Sequence, residues 1–216
     1  MNRSLFAFRL AATILAAGCG SLAGSPLEST RLTFLVYEYA SVDPGTLRQA
    51  LDQTVRILRQ AGIETAWHLC TPIVPPPDDE CERALGPTTL ALKILPEAMA
   101  RKFPGAWNSM GLAAQDPDGN FGVHAMVFFQ RVEELAEHRI CSRSALLAHA
   151  MAHEIGHLLL GTGGHSRAGI MKADWRHSEL SLASRGELKF TSRQAAQMRS
   201  QLGLRSAAHR RRPAPE

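Results

Sequence analysis

Residues 142–161, Ser-Arg-Ser-Ala-Leu-Leu-Ala-His-Ala-Met-Ala-His-Glu-Ile-Gly-His-Leu-Leu-Leu-Gly, constrain this chain more than any other stretch. Ser142 or Ser144 can cap a helix start with its hydroxyl, the interior is made of helix formers, and Gly161 is a natural stop. Leu146, Leu147, Ile155 and Leu158 can supply a core face. In a helix, four residues advance about 6 Å and turn about 400°, so His153 and His157 stand one turn apart on one face. Two imidazoles placed like that can converge on a single ion, whereas Glu154 is turned away by about 100° and flanks it.

That spacing has a chemical meaning. Zinc suits two histidine nitrogens plus a third protein ligand, with the fourth position left to water. A carboxylate beside the ion is placed as the general base for that water, which is the role expected of Glu154. Beyond Gly161, a glycine-rich turn leads to His165-Ser166 and then Gly169-Ile170-Met171. His165 is the expected third ligand. Glu179, twenty-two residues beyond His157, is the rival, since some zinc peptidases draw a ligand from a later helix. His149 extends the stripe one turn upstream, and is read as a supporting or groove-facing group because a fourth protein ligand would close the site.

These parts, in this order, resemble the metzincin zinc peptidases, which carry HExxHxxGxxH followed by a methionine turn. The spacing departs from the family: Gly161 lies four residues beyond His157 instead of three, and His165 eight instead of six, with Gly163-Gly164 available to absorb the extra length. The resemblance covers residues 31 to about 175, is motif-specific only over 149–171, and is nearest to small exported bacterial proteins with HEIGHLLLG followed by HS and GIM. It implies an α+β, zincin-like fold, with a twisted mixed sheet above the active-site helix and a small C-terminal helical subdomain. It also implies Zn2+ held by His153, His157 and His165, Glu154 as the catalytic base, Met171 as a hydrophobic floor, and a peptide or protein substrate. No tyrosine follows Tyr39, so the tyrosine that some members place after the methionine turn has no counterpart. Arg176 or His177 could assist the metal instead. No inhibitory segment with a metal-binding cysteine is evident.

The rest of the chain reads as one α+β domain over residues 25–204. Residues 31–39 form a buried strand. Asp43-Pro44 opens an amphipathic helix on Leu47, Leu51, Val55 and Leu58 that Gly62 ends, and 63–69 alternate as a second strand, giving an initial β-α-β unit. Thr89–Leu95 is a third strand, 96–120 a long loop, and 121–129 a strand, with Phe121, Val123, Ala125, Val127 and Phe129 on one side. That last strand is the expected sheet edge for an extended peptide, and His124 on it a solvated edge residue. Arg131–His138 reads as helical, 165–190 as irregular, and Thr191 with Gln194 as a capping box opening a helix to about Leu202.

Met1-Asn2-Arg3, the apolar run to Ala17 and Gly18-Cys19-Gly20-Ser21 make residues 1–24 a signal peptide. Cleavage before a lipidated Cys19 and ordinary cleavage near Ala17 or Ala23 are both open. Export would favour a Cys70–Cys81 disulfide closing the proline-rich loop between them, and would leave Cys141 buried and single. The formal charge of +4 includes two signal-segment arginines and a basic tail, 205–216, expected to be disordered, which leaves a body near neutrality. A nucleic-acid partner is therefore not indicated. No further apolar run is long enough to span a membrane. Asp78, Asp79 and Glu80 read as a solvated acidic loop with calcium as a minor option. The competing function is a non-catalytic exported protein that zinc holds together, or a binding module derived from a peptidase.

Overall fold

The computed structural model describes residues 31–70, 79–105, 109–114, 121–161 and 164–211. Among them are a five-stranded mixed sheet and six helices, an α+β arrangement. The segment expected to be a signal peptide, with Cys19, and also Asp78, Gly163 and the last five residues lie outside the described residues.

The expected β-α-β opening is present. β1 (Leu32–Glu38) pairs in parallel with β2 (Thr65–Leu69), and α1 (Pro44–Gln60) connects them. Asp43 caps α1 by accepting from the Thr46 N–H at 2.8 Å, and Gly62 takes φ +79° just past its end. β3 (Thr89–Leu95) lies parallel on the other side of β1. The β1 side chains alternate between faces: Leu32, Phe34 and Val36 enter the main core with Leu90, Leu92 and Ile94 of β3. On the opposite face Leu95 joins a small second cluster with Met126, Phe128 and Ala100.

The strand after residue 121 is β5 (His124–Phe128), and it is interior. The sheet order is β2-β1-β3-β5-β4, with β4 (Gly111–Ala114) antiparallel to β5 at the edge. Two expectations are thereby corrected. Residues 96–120 are not all loop, since they contain α2 (Glu97–Ala100) and β4. The strand after residue 121 is not a sheet edge, because both sides of β5 are already paired; the edge beside it is β4. His124 is accordingly half-buried between two strands, with Nδ1 buried and making no hydrogen bond.

β5 runs directly into α3 (Phe129–Glu137), and α4 (Arg143–Leu160) follows. α4 packs against α1, β5 and β4, and is buried along almost its whole length. Ser142 caps it through the Ala145 N–H at 3.2 Å, and Gly161 closes it at φ +81°. The stretch expected to be irregular contains α5 (His177–Ser184), and α6 (Ser192–Arg211) extends nine residues past the expected end at Leu202.

Arg205 explains that extension and corrects its assignment to a disordered tail. It is 1% exposed and donates to the carbonyls of Pro87, Gly122 and Leu158 at 2.7–3.0 Å, with its guanidinium over the Phe121 ring. One side chain thus ties α6 to the end of α4 and to the approaches of β3 and β5. Cys70 and Cys81 are bridged, as expected, and Cys141 is free and buried. Glu80 is paired with Arg83 at 2.9 Å, so a cation of the chain itself already serves that carboxylate. No helix among the described residues is long and apolar enough to cross a membrane.

Candidate metal centre

α4 places His153 and His157 one turn apart, and their Nε2 atoms approach to 3.1 Å. His165, on the turn after α4, brings its own Nε2 to 3.1 Å from that of His157. The three ligand atoms all lie within 4.8 Å of one another, with His153 buried, His157 half-buried and His165 exposed. An imidazole nitrogen has either one in-plane lone pair or one N–H, so His157 Nε2 cannot hydrogen-bond well to both neighbours. One shared cation would satisfy all three. Nitrogens about 2.0–2.1 Å from a tetrahedral ion stand about 3.3 Å apart, close to the two 3.1 Å separations that His157 makes, with all three atoms within 4.8 Å of one another.

The protonation states suit the same use. Burial pushes the pKa of His153 down to about 4, with nearby His165 adding to the shift and the Ile170 carbonyl opposing it. Burial, then the charges of His153 and His165, brings His157 to about 4 as well. Both rings are therefore neutral near pH 7. The Ile170 carbonyl can only accept, so His153 Nδ1, 2.7 Å away, must carry the proton and Nε2 the lone pair.

Glu154, turned about 100° from His153 around α4, lines the same cleft as the three histidines and is 5% exposed. Desolvation alone raises its pKa to about 8. It faces the edge strand: a Cβ built on Gly111 would fall 2.7 Å from Glu154 Oε1 and 2.5 Å from the Met126 carbonyl oxygen, so only glycine fits there. Between β4 and the histidines runs a cleft of about 530 Å³, walled by Met110, Leu112, Arg131, Leu135 and Trp175.

Behind the histidines, Met171 is fully buried, and its Sδ fills the space that a Cβ on Gly156 would need, at 2.4 Å. The Ser166 N–H donates to the Met171 carbonyl at 2.8 Å, closing the 166–171 loop beside His165. The Gln194 amide donates to Ser166 Oγ at 2.9 Å while its own oxygen accepts from the Thr191 N–H. The capping box legible in the sequence thus also steadies the segment bearing the third histidine. Gly164 fits against His157, where a Cβ would lie 3.2 Å from Nδ1.

The fold therefore gathers His153, His157 and His165, with Glu154 beside them and Met171 beneath. It does not bring Glu179 to the cluster. Glu179 accepts from the Arg176 N–H at 3.0 Å and pairs with Lys172 at 2.7 Å, which fixes the start of α5. Arg176 and His177 sit at that exposed helix start and do not line the cleft. His149 is fully buried, bonded through Nδ1 to the Ala145 carbonyl and edge-on to Trp175; it supports the site and does not face the groove. Sequence reasoning missed Gly111, Arg131 and Trp175. Trp175 alone carried a signal, lying four residues past Met171.

No family model matches the chain, and no curated protein matches it.

Proposed function

We propose that this protein is a zinc-dependent endopeptidase with a zincin-like, metzincin-related architecture, exported to an oxidising compartment. The observation that carries the reading is the set of three imidazole nitrogens converging on one point, with a buried carboxylate on the same helix and an open cleft in front. His153, His157 and His165 would hold the ion. Bound there, zinc supplies Lewis acidity, polarising a carbonyl and acidifying water.

The chain's own residues supply the rest. Glu154 takes the proton from the attacking water and returns it to the leaving amide nitrogen, a task suited to a carboxylate that binds and releases protons near neutrality. β4 offers a backbone for an extended substrate. The Phe128 N–H donates to the Met110 carbonyl at 2.8 Å, so the antiparallel alternation turns the N–H and C=O of Gly111 and Ala113 away from β5. A peptide paired there would run along the cleft past Glu154.

A purely structural zinc would have its fourth position filled by protein. Among the described residues no fourth His, Cys, Asp or Glu joins the cluster. The disulfide and the lack of a spanning helix among the described residues are compatible with an exported soluble protein. The test is Glu154→Gln after zinc loading. It should retain one equivalent of metal and lose peptide hydrolysis by at least about 10²-fold, the scale of a general base. Full turnover by the variant, or no cleavage of any peptide library by the zinc-loaded parent, would refute the peptidase reading.

A further inference from the structure

Trp175 occupies a position that neither the motif nor the mechanism uses. It lies four residues past Met171, half-buried, and forms part of the cleft wall. Its indole N–H donates to the Ile170 carbonyl at 3.3 Å, the same oxygen that His153 Nδ1–H reaches at 2.7 Å. A carbonyl has two lone pairs and can accept both. The indole ring also meets the His153 ring edge-on, at 5.9 Å between centroids and 78° between planes. On its other contact it meets the buried His149 at 6.2 Å and 84°.

These contacts bear on one degree of freedom. A histidine on a helix can swing about its side-chain torsions, and an Nε2 lone pair is useful to a cation only while it points at the shared centre. The Ile170 carbonyl restrains that swing through Nδ1. The carbonyl is itself held on the chain side by the Ile170 N–H, which donates to Lys189 at 2.9 Å, and on the site side by the indole. His149 is wholly enclosed and its ring is held beside the Ala145 and Leu188 backbone, so it serves as a rigid backing for the indole. The chain His149, Trp175, Ile170 carbonyl, His153 is thus a continuous brace from the core to the ligand.

We propose that Trp175 is a positioning residue for the metal site: its indole N–H and ring together aim His153 Nε2 at the point shared with His157 and His165. The inference rests on the metal-site reading, and it concerns ligand geometry, not contact with substrate.

The test compares the parent with Trp175→Phe, which keeps an aromatic ring and removes the donor. Competition with a chromophoric chelator gives zinc affinity, and cobalt substitution gives visible bands that report the symmetry of the ligand field. Trp175→Phe should bind zinc at least about tenfold more weakly, the lower end for outer-shell partners of a ligating histidine. Its cobalt bands should shift and broaden, while the unfolding midpoint of the metal-free protein stays near that of the parent. Zinc affinity within twofold of the parent and unchanged cobalt bands would overturn the proposal, as would a loss of affinity matched by an equal loss of metal-free stability. If Trp175→Phe does not fold, the parent carries the test alone. Stoichiometric zinc should then move one of its three tryptophan indole N–H cross-peaks, and three unmoved peaks overturn the brace. A parent that takes up neither zinc nor cobalt overturns the metal site itself, which is a different result from a parent that binds both while Trp175→Phe binds them equally well.

Discussion

Gly156 shows how one missing methyl can decide a site. In an isolated helix, Gly→Ala stabilises by about 1 kcal/mol, so α4 would gain by the exchange. Here the new Cβ would sit 2.4 Å from Sδ of the fully buried Met171 and 2.9 Å from a ring carbon of the half-buried Phe190. Overpacking of that kind costs about 1–3 kcal/mol and outweighs the helical gain. Gly156→Ala should therefore unfold at lower denaturant than the parent and bind zinc more weakly, because displaced Met171 carries the Ile170 carbonyl with it. Chemical denaturation and a zinc titration check this, and a stabilised variant would mean that Met171 moves freely. Gly111 is under a stricter limit, since one of the atoms its Cβ would meet is backbone.

At the level of elements, β4 is the decisive addition. Gly-Leu-Ala-Ala has no β-branched residue and no polar alternation, so nothing local marks it as a strand. Its pairing with β5 makes it one, and its outward backbone groups give the cleft an unpaired strand edge, the one proposed to receive a peptide. Ala113→Pro tests that edge. The Ala113 N–H is not part of the β4–β5 ladder, and edge strands tolerate proline, so stability should change by no more than about 1 kcal/mol. With one outward donor gone, kcat/KM toward extended peptides should fall by about tenfold, the worth of one hydrogen bond, while zinc content is unchanged. An unaffected kcat/KM would place the substrate elsewhere in the cleft. α6 offers the converse lesson: its mean hydropathy is low and its end is cationic, yet burial of Arg205 against three carbonyls anchors the helix beyond Leu202.

For the molecule as a whole, the buried site makes stability depend on pH in two opposed ways. His153 and His157 have folded pKa values of about 4, below the ordinary histidine value near 6.5, so the unfolded chain binds their protons first. Their contribution is complete above about pH 6.5 and is lost as pH falls toward 4. His149, also shifted down chiefly by burial, adds to the same side. Glu154 is the reverse: with a folded pKa of about 8 it favours the folded state at low pH, and that advantage is lost as pH rises from about 4.5 through 8. The histidines outnumber the carboxylate, so metal-free protein should gain stability from pH 5 to about 6.5 and lose it from there to 8, with limiting slopes of about 1.4 kcal/mol per pH unit per net proton. Denaturation of the metal-free protein across that range checks the sign on each side, and a monotonic rise through pH 8 would show that Glu154 is ionised in the folded state.

What the sequence determined by itself is what depends on short-range geometry. Helical periodicity fixes where His153, Glu154 and His157 point, Asp43, Ser142 and the Thr191–Gln194 pair set helix starts, and Cys70 and Cys81 lie near enough in the chain to meet. Tertiary structure decided whatever depends on partners distant in the chain. It chose His165 over Glu179 by closing the 166–171 loop and engaging Glu179 with Lys172. It made a strand of Gly111–Ala114 and an interior one of His124–Phe128, and it set Trp175 against His153. Local propensity is a matter of tenths of a kcal/mol per residue, whereas pairing and burial supply several, so the elements with weak local signals took their form from their neighbours.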